Sequence, residues 1–278
     1  MFNQGLSLDQ APPISVPFRF FLSAPLFGVL ISLVFFFSPF DEISNQYSHL
    51  AIGVIHLFTL GILSMIIFGA MQQMMPVLAG AILKKPRLFA NIVHPSLVLG
   101  TLSMSFSFIF EIKILLHIGV LFLTISFLTF FIFSIKLLFK VEFLTSTVKA
   151  MRLFSLAGFI TLILGLYLAI AHISSNIGEQ HYAFVNMHIL FALFGFALLI
   201  IMGVSFQVIP MFYVALDFPK FVQNKAPLIL FTLLFVSTIF LYFGINFLVL
   251  KVLYVALIIA YCFYALKSLN NRRRPVFD

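Results

Sequence analysis

Histidine is the residue type in this chain best suited to chemistry. There are seven, and four form two like-spaced pairs, His49-x6-His56 and His181-x6-His188, with the second pair 132 positions after the first. A spacing of seven puts both members of a pair on one helical face, with the inner imidazole about 10 Å further along the axis. Two imidazoles at one depth in an apolar bundle suit bis-His ligation of a b-type haem, whose iron takes one nitrogen from each side. The expected haem ligands are therefore His56 and His188. His49, His117, His172 and His181 fall nearer helix ends; imidazole is the commonest metal ligand, so this second set is the candidate copper or zinc site. A histidine in an apolar helix also has a plainer role, hydrogen bonding to a neighbouring helix. The thioethers of Met71, Met74, Met75 and Met211 suit Cu(I), which makes copper the alternative cofactor, although methionine is an ordinary gap filler.

Other chemistries are missing. The single cysteine, Cys262, excludes an intrachain disulfide and a cysteine-held iron–sulfur cluster. No Gly-rich phosphate loop, nucleophile elbow or His-Glu-x-x-His motif occurs. Glu111 and Glu142 fall at the ends of apolar runs, which leaves no carboxylate relay through a membrane core.

The elements that must carry these histidines are membrane spans. Of 278 residues, 63% are hydrophobic and 9% charged, against about 25% charged in a soluble domain. Apolar runs at 20–39, 49–75, 89–110, 114–135, 153–173, 182–209, 227–246 and 249–266 are each long enough to cross about 30 Å of hydrocarbon. The fold expected is an all-α polytopic membrane protein of eight transmembrane helices in contact with the lipid bilayer. Of the 16 Lys and Arg, all but Lys113 and Lys251 fall on one face, which places both termini in the cytoplasm. The first run lacks a preceding basic cluster and a small-residue cleavage site, so it is expected to stay as helix one. Arg272 to Arg274 form too short a run beside a helix end to argue for nucleic acid, and contact with anionic lipid heads is the expected use of the net charge of +8.

An internal repeat organises the spans. Gly61-x7-Gly69-x3-Gln73-x2-Pro76 in helix two is matched by Gly195-x7-Gly203-x3-Gln207-x2-Pro210 in helix six, an offset of 134. Arg19-x-Phe21-x-x-Ala24 is matched by Arg152-x-Phe154-x-x-Ala157, an offset of 133. The expected organisation is a cytoplasmic segment 1–18, a first four-helix repeat 19–140, a second 141–267 and a basic tail 268–278. With an even number of spans each, the two repeats are expected to insert in parallel. Equivalent histidines then share a depth. Gln73 and Gln207 are expected to bond between helices, near carbonyls freed by Pro76 and Pro210.

The segment from His56 through Gly61 to Gly69-Ala-Met-Gln-Gln-Met-Met-Pro76, with its partner from His188 to Gly203-Val-Ser-Phe-Gln-Val-Ile-Pro210, resembles helices of NnrS-like and haem–copper oxidase subunit I-like bacterial membrane proteins. The opening Pro17-Phe-Arg19-Phe-Phe-Leu-Ser-Ala24 is similar to the start of NnrS-like chains. The resemblance implies a haem-bearing bundle of the bacterial inner membrane, tied to respiration or nitric oxide metabolism and served by a respiratory electron donor. It also implies low-spin haem ligation by His56. The adjacent His-His pair of the oxidases is absent from this chain, so the resemblance bears on haem binding more than on oxygen reduction. Copper transport or delivery, and a non-catalytic role in assembling a respiratory complex, are the alternative roles expected from the residues.

Overall fold

The computed structural model describes residues 10–45 and 47–272. Eight helices are long and apolar enough to cross a membrane: α1 (Ser15–Phe37), α2 (His49–Ala79), α3 (Pro86–Phe110), α4 (Lys113–Leu138), α5 (Ser146–Ser174), α6 (His181–Tyr213), α7 (Lys220–Tyr242) and α8 (Leu248–Asn270). Among the described residues there is no strand. The chain is thus an all-helical, multi-pass membrane protein whose apolar helices face lipid. Residues 273–278 of the expected basic tail lie outside the described residues.

The helices begin and end where local chemistry dictates. Ser48 caps α2, its Oγ accepting from the Ala51 N–H at 3.0 Å. Pro86 opens α3 at a position with no need of an N–H. Gly80, with φ of 65°, ends α2 in the left-handed conformation that glycine adopts without penalty. Several helices outrun the apolar runs that mark them. α5 begins at Ser146 and α7 at Lys220, because their first turns are polar and hydropathy registers only the part in hydrocarbon. α2 and α6 likewise continue past Pro76 and Pro210 to Ala79 and Tyr213.

The chain divides into two compact units. The first comprises residues 1–137 and 169–176, the second 138–168 and 177–278. Within the first, Gly100 on α3 faces the backbone of Leu123 on α4, and Gly119 on α4 faces the backbone of Met104 on α3. Small residues let the two helices approach backbone to backbone, as lipid-embedded helices must when solvent gives them no reason to associate. Phe68 of α2 stacks on Phe130 of α4 with centroids 3.7 Å apart. The second unit is tied by hydroxyls. Tyr261 of α8 donates to Ser205 of α6 at 2.8 Å, and Tyr254 of α8 bonds Ser237 of α7 at 3.1 Å.

One feature of both units is not α-helical. Leu57–Ser64 within α2 and Phe191–Leu198 within α6 are π-helical, each eight residues long. Their starts are 134 positions apart, and Gly61 and Gly195 each stand fifth. Such widened turns are rare and concentrate at functional sites.

Candidate functional site

His56 immediately precedes the π-helical turn of α2. Its Nδ1 lies 2.7 Å from the Ile52 carbonyl. A carbonyl only accepts, so Nδ1 carries the proton and the neutral ring has its lone pair on Nε2. The ring is half-buried and nearly parallel to that of Phe108 on α3, 6.2 Å away.

His188 stands three residues before the π-helical turn of α6. Its Nδ1 is 3.2 Å from the Thr161 carbonyl on α5, which fixes the same tautomer. Gly165 on α5 makes room for this ring: a Cβ there would lie 3.0 Å from His188 Cε1. In each unit, then, an imidazole donates through Nδ1 to a backbone carbonyl, a tautomer that metal-ligating histidines use and that His117 shares through the Lys113 carbonyl.

Around each π-helical turn, glycines set the packing. In the first unit a Cβ on Gly61 would collide with Phe27 of α1. One on Gly69 would lie 3.0 Å from Phe20 Cβ and 3.1 Å from the Pro17 carbonyl. In the second unit a Cβ on Gly195 would lie 2.8 Å from the Ala157 Cβ of α5, and one on Gly203 would collide with Ala150. Pro17 and Ala150 are 133 positions apart, the offset of the Arg19 and Arg152 motifs. Ser64 adds a bond particular to α2, donating to the Thr59 carbonyl five residues back at 2.8 Å.

Of the second histidine set, the first unit brings two together. The rings of His49 and His172 meet edge to face with centroids 5.4 Å apart. His49 Nδ1 is 3.0 Å from a Glu111 carboxylate oxygen. His117 does not join them: it is exposed, and its Nδ1 bonds the Lys113 carbonyl of its own helix at 3.0 Å. In the second unit the His181 ring lies beside Tyr182, and its Nδ1 is buried with no hydrogen-bond partner. Among the described residues no three His, Cys, Asp or Glu side chains form a group that could hold a metal ion.

His94, which has no repeat counterpart, sits in a polar cluster. Its Nε2 is 2.8 Å from the Ser23 hydroxyl, and Arg19 donates to Asn91 on the same helix at 2.6 Å. The glutamines differ from expectation. Gln73 is exposed and Gln207 half-buried; the buried amide is that of Gln72, whose Nε2 donates to the Phe68 carbonyl at 3.1 Å within α2. Adjacent helical residues differ by about 100° in direction, so with Gln72 directed inward Gln73 is turned away from the interior. Gln72 has no glutamine counterpart in α6, and this hid it from a comparison of the halves. No family model, curated protein or solved structure matches the chain.

Proposed function

We propose that the chain is a haem b-binding protein of the bacterial inner membrane, with His56 and His188 as iron ligands and a role in respiratory electron transfer or nitric oxide handling. The observation that carries this reading is the shared tautomer: both rings donate Nδ1–H to a main-chain carbonyl and direct their basicity to Nε2. An Nδ1–H so anchored orients the ring and raises the donor strength of Nε2. Gly165 suits the same role, since a side chain there would press on the His188 ring. When bound, haem iron supplies one-electron redox change or a site for a diatomic gas. The protein's part is to hold the imidazoles in one tautomer and to exclude water with apolar helices that glycines let pack closely.

The reading includes two parallel four-helix repeats with both termini in the cytoplasm. In its support, the two π-helical turns lie at the motif offset, each with a glycine fifth, and Gly69 and Gly203 pack on positions 133 apart. The visible spectrum of the purified, detergent-solubilised chain tests the haem. Dithionite should produce the sharp Soret and α bands of a b-type haem in amounts comparable to the chain. A chain purified from haem-replete cells without those bands contradicts the proposal.

A further inference from the structure

The first unit holds a pocket of about 260 Å³ beneath the segment that precedes α1. It is lined by Gln10 to Pro13, by Gln72, Met75 and Pro76 of α2, and by Ala81, Ile82, Leu83 and Pro86 of the turn that follows. Gln10 and Gln72 both line this pocket, and the side-chain oxygen of each is buried with no hydrogen-bond partner. Gln72 is 4% exposed. Its amide orientation is fixed, because Nε2 donates to the Phe68 carbonyl, so the atom left over is an acceptor. Pro76 supplies no N–H to the Gln72 carbonyl one turn earlier, which adds main-chain acceptor capacity at the same place. A buried acceptor without a donor costs about 1–3 kcal/mol, so a molecule that brings a donor to Gln72 Oε1 gains by entering the pocket.

The lining decides what that is. It carries no ionisable side chain, and proline, methionine, alanine, isoleucine and leucine make up the rest. Lys84 and Lys85 stand in the same turn, which disfavours a cation. We propose that the pocket binds a neutral, mainly apolar molecule through a hydroxyl that donates to Gln72 Oε1. That molecule is either a small phenol-like compound or the neutral hydroxyl head of a membrane lipid.

The test uses the full chain in lipid nanodiscs and follows 4-fluorophenol by fluorine NMR, with 4-fluoroanisole as a probe of like shape lacking the donor. The phenol should bind about tenfold more tightly than the anisole, the worth of one neutral hydrogen bond. Gln72→Leu should remove that preference. Displacement of the phenol by dioleoylglycerol but not by trioleoylglycerol would assign a lipid source; phenol binding unaffected by either would assign a soluble one. Equal binding of the two probes to the unaltered chain overturns the proposal, and so does absence of binding, which would leave water as the donor.

Discussion

One turn before Pro76 in the first unit stands Gln72, buried, with an unpaired oxygen on a pocket. One turn before Pro210 in the second stands Phe206, buried, its ring 5.2 Å from that of Phe218 and 6.4 Å from that of Tyr261. Around these unlike residues the two helices share a π-helical segment of equal length and a pair of glycines packed on the preceding helix of the same unit. The arginines contrast too. Arg19 reaches Ser15 and Asn91 at an exposed site, whereas Arg152 makes three hydrogen bonds to the carbonyls of Leu138 and Val141. A backbone frame held by glycines is thus compatible with a mainly apolar cavity bearing a buried amide in one unit and an aromatic filling in the other. The side chains that differ are where divergent roles belong.

The comparison breaks most severely at the glycines. Gly203→Ala places a methyl against Ala150, which has no side chain to swing aside, and overpacking of this kind costs about 1–3 kcal/mol. Gly69→Ala, whose methyl comes no nearer than 3.0 Å to any neighbour where that of Gly203→Ala collides with Ala150, should cost less. Thermal melting in detergent should rank Gly203→Ala below Gly69→Ala, and the reverse order would contradict the packing described.

Comparable in size is the effect expected at the arginines. Arg152→Gln strands the α4 terminus and should cost about 1.5–3 kcal/mol, as bonds to charged donors do; Arg19→Gln should cost about 0.5 kcal/mol. Equal losses would mean that the two sites are more alike than their partners. The smallest effect is expected at Gln72, where Gln72→Phe installs the second unit's residue and removes an orphaned acceptor. Its melting temperature should equal or exceed that of the unaltered chain, and a marked fall would show that the amide is needed for folding.

The eight spans were legible because lipid demands long apolar runs, and the glycine frame was legible because close approach admits few residue types. The widened turns were not, since hydropathy does not distinguish an α from a π turn. Nor was the pairing of Glu111 with His49, which follows from Glu111 closing α3 with φ of 56°, whereas His49 and His172, grouped already by the sequence, meet because residues 169–176 of α5 belong to the first unit. The motif comparison selected Gln73 because it recurs, while packing selected Gln72, which does not.

The central claim is that His56 and His188 ligate haem iron. Reduced-minus-oxidised spectra of His56→Ala and His188→Ala, each purified beside the unaltered chain, test it most directly. Each variant should lose the bis-histidine low-spin signature, by loss of haem or conversion to high spin, while Thr59→Ala retains it. Low-spin spectra unchanged in both histidine variants would contradict the assignment.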